Sequence, residues 1–286
     1  GKQADQERMS VFNPIAKAVL GELTARIDEY SERRAVRVLA VTWNCNGALP
    51  RDAFNTNCLL ELITTQDDRE LDILVVSFQE IVELSATQLM SVDPERRLQW
   101  ESFLCESINT IGLTSTYSLL VSNQLGGTSL SVLVKDDHIP RIRNVEITSL
   151  KTGFGGMTGN KGTVAIRLDF DDTPICFLGS HFTAGQQYHS DRDREYAWIL
   201  QTLRFTRQKR IESHDVIVWM GDFNYRSDCS FEEACELIQR EDYDVLLRYD
   251  QLSRSMARGS AFKGYHEAPI TFPPTYKYDP HSSLYD

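Results

Sequence analysis

Amide, carboxylate and imidazole side chains directly follow four apolar runs in the sequence. The runs 36–43, 72–78, 175–180 and 215–221 lead into Asn44 and Asn46, Glu80, His181, and Asp222 with Asn224, respectively. Open α/β folds place their binding sites at the carboxyl ends of strands. The sequence therefore predicts that these side chains form one cluster at the end of a sheet.

The residue types in this cluster are those needed for metal-assisted hydrolysis of a phosphate ester. One carboxylate with amide oxygens suits a hard cation that keeps most of its waters, which indicates Mg²⁺ rather than zinc, with Glu80 and Asn46 as ligand candidates. Asp222 could activate a water molecule, and Asn224 could hold it in place. His181 could donate to the charge that develops on the phosphoryl group.

Taken one at a time, these residues have simpler interpretations. Asn44 and Asn46 before Gly47 could form only a turn. Glu80 could be a first-turn helix carboxylate, and His181 could be a half-buried histidine with satisfied hydrogen bonds. It is their joint occurrence at four strand ends that favours a site.

A glycine-rich segment at 151–162, KTGFGGMTGNKG, supplies backbone N–H groups and the cation Lys161, a composition suited to an anion. It is not a Walker loop, because neither Ser nor Thr follows the lysine. A solvated loop between strands is the alternative. Arg226, Tyr276 and Lys277 are further candidate phosphate donors, or else ordinary surface side chains.

The elements that must position these residues are short, β-rich apolar runs separated by stretches of helical composition. Several runs are apolar on both faces, so each side of the sheet must be covered. The stretches 94–111, 190–211 and 230–240 are predicted to be helices, and the segment 151–162 is predicted to be a loop. The pattern indicates a layered α/β fold.

No internal repeat or linker divides the chain, which predicts one domain at 35–286 after a helical lead-in at 1–34. Asn13 and Pro14 are the expected N-cap and first residue of a helix in that lead-in. Six cysteines lack any zinc-like spacing and are interpreted as reduced core thiols.

The composition excludes several classes of protein. Of 286 residues, 41% are hydrophobic and 25% are charged, as in globular proteins rather than disordered or fibrous ones. Thirty Lys and Arg against 41 Asp and Glu give a net charge of -11. A general nucleic-acid binder is therefore not expected, and any polyanion must meet a local basic site.

Together, these motifs resemble the inositol polyphosphate 5-phosphatases, most closely those of the synaptojanin type. The resemblance covers roughly residues 36–279, and the motifs occur in the family's order: WNCNG, FQEIVEL, KTGFGGMTGNKG, GSHFTAG, SHDVIVWMGDFNYR and FPPTYKYD. GDFN alone would indicate only the wider deoxyribonuclease I-like superfamily. GNKG together with TYKYD is similar to the phosphoinositide branch.

The resemblance implies a fold, a reaction and a set of roles. The implied fold is a four-layer sandwich of two packed mixed β-sheets flanked by helices. The implied reaction is Mg²⁺-dependent removal of the 5-phosphate from phosphoinositides, such as phosphatidylinositol 4,5-bisphosphate, and from inositol polyphosphates. Carried over by motif, the catalytic residues are His181, Asp222 and Asn224, the metal-site residues are Glu80, Asn46 and Asn44, and the substrate-binding residues are Asn160, Lys161, Arg226, Tyr276 and Lys277, with Tyr276 and Lys277 at the 4-phosphate.

The resemblance also implies a monomeric, cytoplasmic enzyme that is peripheral to membranes and acts on head groups at their surface. The family continues past TYKYD into PAWTDR-like and SDHRP-like segments, which this sequence does not contain. Closing C-terminal strands and a catalytic Asp-His pair are therefore expected to be missing here. Two alternatives remain, namely a nuclease on the same scaffold and a noncatalytic phosphoinositide-binding module.

Overall fold

In the part of the chain that the structure describes, eight strands form two mixed four-stranded sheets, as the layered α/β prediction requires. The computed structural model describes residues 14–50, 61, 70–82, 94–156, 158–279 and 282–286. The strands are β1 (Val38–Asn44), β2 (Ile73–Gln79), β3 (Tyr117–Leu125), β4 (Thr128–Lys135), β5 (Ile142–Thr152), β6 (Thr158–Phe170), β7 (Thr173–His181) and β8 (Val216–Asp222).

Helices precede, interrupt and follow these strands. They are α1 (Pro14–Ala25), α2 (Ile27–Tyr30), α3 (Pro94–Thr110), α4 (Gly153–Gly156), α5 (His189–Thr202), α6 (Phe231–Gln239), α7 (Tyr243–Leu247) and α8 (Gln251–Arg258). Short 3₁₀ turns cover Asp136–Arg141, Gln186–Tyr188, Thr206–Gln208 and Ile211–Ser213. No helix in the described ranges is both long enough and apolar enough to cross a bilayer.

Each sheet carries one parallel pair at one edge, and this pair sets where the functional side chains emerge. The strand orders are β1-β2-β4-β3 and β5-β6-β7-β8. The β1/β2 and β7/β8 pairs are parallel, and the other pairs are antiparallel. In a parallel pair both carboxyl ends lie at the same edge, so each sheet brings two predicted motifs side by side.

The core lies between the two sheets and on the outer face of the first sheet. Between the sheets, a cluster of fully buried apolar side chains includes Val75, Val132, Ile166 and Phe177. On the outer face of the first sheet, α3 packs through Trp100, whose ring lies 4.2 Å from that of Phe78. These strands are apolar on both faces because both faces are covered.

The chain forms two compact units. The first comprises Gly1–His181 and Thr202–Asp222 and contains both sheets. The second comprises Phe182–Gln201 and Phe223–Asp286 and has an aromatic core, in which the Phe262 ring lies 4.4 Å from that of Tyr196. The domain boundaries predicted from the sequence, 1–34 and 35–286, stay a prediction.

Two predictions about local structure were wrong, and one strand was missed. Segment 151–162 is not a loop, because β5 runs to Thr152, a single helical turn follows, and β6 begins at Thr158. The helix expected at 190–211 ends at Thr202, and the positive φ angles of Arg207 and Gln208 are incompatible with its continuation. Strand β5 was not predicted at all.

Two other expectations fall partly outside the described residues. Asn13, the expected N-cap, lies outside them, and so does Cys58. The other five cysteines are free thiols, but only Cys45 and Cys176 are buried, so the expectation of core positions holds for these two alone.

Candidate active site

The ends of β1 and β2 turn sharply and place two predicted metal-site residues together. Asn46 and Glu80 both adopt left-handed backbone conformations, with φ of 47° and 52°. The Gly47 amide donates to the carbonyl of Glu80 over 2.7 Å, and the Asn46 amide donates to Oδ1 of Asn44 over 3.0 Å. The asparagines therefore do form a turn, and that turn supports the backbone of Glu80.

The ends of β7 and β8 supply the other two side chains of the cluster. His181 and Asp222 are paired across these parallel strands, with 3.5 Å between His181 Nε2 and Asp222 Oδ2. The same Nε2 lies 3.7 Å from Oε1 of Glu80. The Asn44 amide donates to Asp222 Oδ2 over 3.1 Å. Asn44, Glu80, His181 and Asp222 thus lie together, as predicted.

Lys161 joins the cluster from the neighbouring strand. Gly162 pairs with His181 across β6 and β7, and the Lys161 ammonium contacts Nε2 of His181. His181 is 2% exposed, and burial, followed by the positive charge of Lys161, lowers its pKa to about 4 against the opposing effect of Asp222. The imidazole is therefore neutral at pH 7, with Nε2 as an acceptor for the ammonium.

A buried polar layer beneath the cluster was not predicted. The Ser180 hydroxyl accepts from the Trp219 indole over 2.7 Å and lies 2.6 Å from the Thr163 hydroxyl. In the facing sheet, Ser77 lies so close to Gly179 that a Cβ there would come within 2.3 Å of its Oγ. These contacts fix the strand that carries His181. The sequence signal for these contacts was the pair of small residues, Gly179 and Ser180, that precedes His181.

The second unit contains four of the other predicted residues. Asn224 Nδ2 donates to the carbonyl of Phe182 over 3.0 Å, and Arg226 Nη2 donates to Asn224 Oδ1 over 2.7 Å. The Tyr276 side chain is 62% exposed, and its ring lies 5.0 Å from Cζ of Arg226. Lys277 forms an ion pair with Asp286, which raises the pKa of the lysine.

Asn160 is the remaining candidate for substrate binding. It lies in β6 immediately before Lys161 and is partly buried. Strand geometry points successive side chains to opposite faces, so the two residues do not present their side chains to the same side.

The donor set of the first unit fits a hard divalent cation. The carboxylates of Glu80 and Asp222 both lie within 3.7 Å of His181 Nε2, and Asn44 and Asn46 add amide oxygens. The thiol of Cys45 is a poor ligand, because burial raises its pKa. Among the described residues, no three or more His, Cys, Asp or Glu side chains group closely enough to hold a metal ion. Amide oxygens and water would therefore complete the coordination shell.

Comparison with known proteins places the chain in a family. A family model described as endonuclease/exonuclease/phosphatase family 2 matches residues 41–286. The chain belongs to this family. Within it, the chain is similar in sequence motifs to the inositol polyphosphate 5-phosphatase domains of the synaptojanin type, as predicted.

Two curated relatives of this family are similar over nearly the whole chain. Inositol-1,4,5-trisphosphate 5-phosphatase 1 of Schizosaccharomyces pombe is 41% identical over 287 residues, which cover 100% of this chain and 26% of that protein. Human Synaptojanin-2 is 39% identical over 285 residues, which cover 95% of this chain and 19% of that protein. The chain thus spans about a quarter or less of the length of these relatives.

A solved member of the family has the same fold. It is the inositol polyphosphate 5-phosphatase domain of SPsynaptojanin, in complex with inositol (1,4)-bisphosphate and a calcium ion. The TM-score is 0.85 at 40% identity, and the match covers 96% of this chain and 78% of that one. The predicted deoxyribonuclease I-like class, with two mixed sheets flanked by helices, is confirmed.

Proposed function

We propose that this chain hydrolyses the 5-phosphate of phosphoinositides, such as phosphatidylinositol 4,5-bisphosphate, and of inositol polyphosphates, with Mg²⁺ as cofactor. One observation carries the proposal. The side chains of Glu80, Asp222 and Lys161 all approach Nε2 of His181. The site therefore contains carboxylates that could bind a metal ion and activate a water molecule. It also contains an ammonium group that could bind an anionic substrate.

The names and ligands of the relatives support this choice of substrate. One relative is named for inositol 1,4,5-trisphosphate, and the solved relative holds inositol (1,4)-bisphosphate, which is what remains after the 5-phosphate has been removed. Phosphatidylinositol 4,5-bisphosphate carries the same 1,4,5 pattern, with a diester at position 1. A single site could therefore accept both the lipid head group and the free inositol phosphate.

Glu80 and Asn46 would hold the Mg²⁺, with Asn44 supporting them through the hydrogen bond to the Asn46 amide. When bound, the cation supplies positive charge that polarises a phosphoryl oxygen. Calcium and magnesium both prefer oxygen donors, and Mg²⁺ is the better match for a site with few protein ligands that keeps its waters.

Asp222 would accept the proton of the attacking water. Its Oδ2 accepts a hydrogen bond from Asn44, which holds the carboxylate in one orientation. As the water oxygen bonds to phosphorus, the bond from phosphorus to the inositol 5-oxygen breaks, and that oxygen takes a proton from solvent and leaves as a hydroxyl. The role of Asn224 in orienting the water follows from the family motif and stays a prediction.

Lys161 would stabilise the charge on the phosphoryl oxygens, and His181 would hold it in place. Because Nε2 of the imidazole accepts from the ammonium, this nitrogen does not donate to the phosphoryl group, in contrast to the role predicted for His181 from the sequence. The neutral imidazole holds the ammonium by accepting from it, so the lysine retains its other N–H donors for phosphate. Tyr276 and Lys277 are proposed to contact the 4-phosphate, in which case the phosphate displaces Asp286 from Lys277. A monomeric, cytoplasmic enzyme that works at membrane surfaces completes the proposal.

The deciding experiment measures phosphate release from inositol 1,4,5-trisphosphate and from vesicles containing phosphatidylinositol 4,5-bisphosphate, with Mg²⁺ or with chelator. We expect release only with Mg²⁺, and phosphorus NMR should identify the 1,4-bisphosphate as product. Glu80→Gln should abolish turnover, and Glu22→Gln, on the exposed face of α1, is the control. Vesicle binding without turnover would support the binding-module alternative, and nicking of plasmid DNA would support the nuclease.

A further inference from the structure

The guanidinium of Arg226 contacts two residues that the sequence assigns to separate tasks. Its Nη2 donates to Oδ1 of Asn224 over 2.7 Å, and its Cζ lies 5.0 Å from the centre of the Tyr276 ring. All three residues belong to the second unit. One side chain therefore connects the predicted water-orienting amide to the predicted substrate-recognition tyrosine.

The amide of Asn224 is held at both ends. Nδ2 donates to the Phe182 carbonyl over 3.0 Å, while Oδ1 accepts from Arg226. The backbone of Asn224 is also in the left-handed region, with φ of 56°. The two hydrogen bonds define which end of the amide is oxygen and which is nitrogen, and loss of Arg226 would remove the one that holds Oδ1.

The backbone of Arg226 is anchored separately from its guanidinium. Its amide donates to Gln251 Oε1 over 3.1 Å, and the same oxygen accepts from the fully buried Arg192 over 2.6 Å. The far end of Arg226 lies instead against Tyr276, an exposed ring. Because the backbone of Arg226 is held in place and its guanidinium contacts the exposed ring of Tyr276, a movement of the ring can shift the guanidinium.

We infer that Arg226 is a positioning residue that holds the Asn224 amide and makes its orientation depend on the Tyr276 ring. The inference rests on the proposed function, in which Tyr276 meets the substrate. A substrate group that orders the ring against Arg226 would then raise kcat in addition to tightening binding. Recognition and turnover would be coupled through one guanidinium.

Four variants separate this role from direct phosphate binding. Arg226→Gln removes the charged donor and should lower kcat by about 10- to 100-fold, the effect of losing a charge-assisted hydrogen bond. Arg226→Lys keeps the positive charge but not the planar fork, and kcat should fall nearly as far. Tyr276→Leu removes the ring and should lower kcat by about two- to fivefold, whereas Tyr276→Phe should raise KM and retain kcat.

A matched control comes from the same unit. The Arg254 Cζ lies 5.9 Å from the Tyr249 ring, and the hydrogen bonds of these two side chains, to Arg248, Asp228 and Glu233, involve no predicted functional residue among those described. Tyr249→Leu should leave kcat and KM unchanged. Melting temperatures of all variants show whether any loss reflects unfolding. In the double variant Arg226→Gln with Tyr276→Leu, kcat should be no lower than in Arg226→Gln alone, because the ring acts through the arginine.

Either of two results would overturn the inference. If Arg226→Lys keeps wild-type kcat, the arginine acts as a positive charge toward substrate. If Tyr276→Leu and Tyr276→Phe both raise KM with kcat unchanged, the ring acts by contact alone. A wild-type chain that releases no phosphate would contradict the proposed function itself, and kinetics on an active wild type therefore keep the two failures distinct.

Discussion

At the scale of single residues, the carboxylate of Asp222 has the clearest expected role. Asp222→Asn retains the shape and an acceptor for Asn44 but cannot take a proton, so kcat should fall by about 10²- to 10⁴-fold. Steady-state phosphate release from inositol 1,4,5-trisphosphate measures the change. The substitution of an exposed aspartate, Asp137→Asn, is the control. If kcat falls by less than threefold in Asp222→Asn, Asp222 is not the general base.

Lys161 carries a second prediction at this scale. Lys161→Met removes the ammonium from Nε2 of His181, and kcat/KM should fall by about 10- to 100-fold as a charged hydrogen-bond donor to phosphate is lost. Lys151→Met, an exposed lysine on the adjacent strand β5, should change kcat/KM by less than twofold. Equal losses in the two variants would indicate a general electrostatic effect rather than a specific contact.

The motifs predicted the identity of the clustered residues well, but not how they are held. Asn44, Glu80, His181 and Asp222 each stand at the end of an apolar run, and parallel pairing is enough to bring such ends together. The contact of Lys161 with His181 depends instead on the antiparallel register of β6 and β7. A register is fixed by tertiary packing, so a linear pattern could not reveal it.

At the scale of elements, the turn between β3 and β4 supports Glu80. The Ile81 amide donates to the carbonyl of Gly127 over 3.1 Å, and a Cβ on Gly127 would lie 3.3 Å from Cα of Glu80. The Gln124 side chain holds this turn by donating to the Gly126 carbonyl over 2.7 Å. The paired glycines thus let one hairpin press closely on the backbone of a predicted metal ligand.

Gly127→Ala should therefore weaken metal binding. Gly127 does not have a left-handed backbone, so alanine adds no strain there apart from its contact with Glu80. We expect the affinity for Mg²⁺, measured by isothermal titration calorimetry, to fall by about tenfold, since a site loosened by even 1 Å loses function. Gly21→Ala in α1, where a Cβ meets nothing within 4 Å, is the control. If Gly127→Ala binds Mg²⁺ with unchanged affinity, the turn between β3 and β4 does not position Glu80 for metal binding.

A second prediction for elements concerns Glu70, which joins the start of β2 to the start of β3 and the end of β4. Its carboxylate accepts from the hydroxyls of Ser115 and Thr114 and from Lys135 over 2.9 Å, and these bonds hold its pKa well below the usual range. A lowered folded-state pKa means that the stabilisation is fully present above the unfolded-state value. It is lost as pH falls through the folded-state pKa.

Glu70→Gln should lower the free energy of unfolding by about 2 kcal/mol at pH 7, a figure reduced for the partial exposure of the carboxylate. The difference from wild type should shrink as pH falls below about 4. Urea denaturation at several pH values measures both effects. A difference that persists unchanged at low pH would mean that shape, not charge, holds these elements together.

At the scale of the whole molecule, the net charge of -11 opposes approach to an anionic bilayer. At low salt, phosphatidylinositol 4,5-bisphosphate should therefore be hydrolysed more slowly in vesicles made mainly of phosphatidylserine than in vesicles made mainly of phosphatidylcholine. The two rates should converge above about 0.15 M salt, where the Debye length is about 8 Å. Hydrolysis of inositol 1,4,5-trisphosphate without vesicles is the control. Faster hydrolysis on phosphatidylserine would instead indicate docking by a local basic segment such as 204–210, which contains Arg204, Arg207, Lys209 and Arg210.

The strand nature of the segment before Gly162 has a consequence for sequence drift. Gly162 pairs with His181, and a Cβ on it would come within 2.3 Å of the Leu150 carbonyl, so the strand register from Gly162 onward is closely fixed. An insertion of one residue between Lys161 and Gly162 would rotate the lysine to the opposite face of the sheet. Ordinary glycine loops tolerate insertions and deletions, but this segment should not. Its chemistry can therefore change in evolution by substitution and not by a change of length.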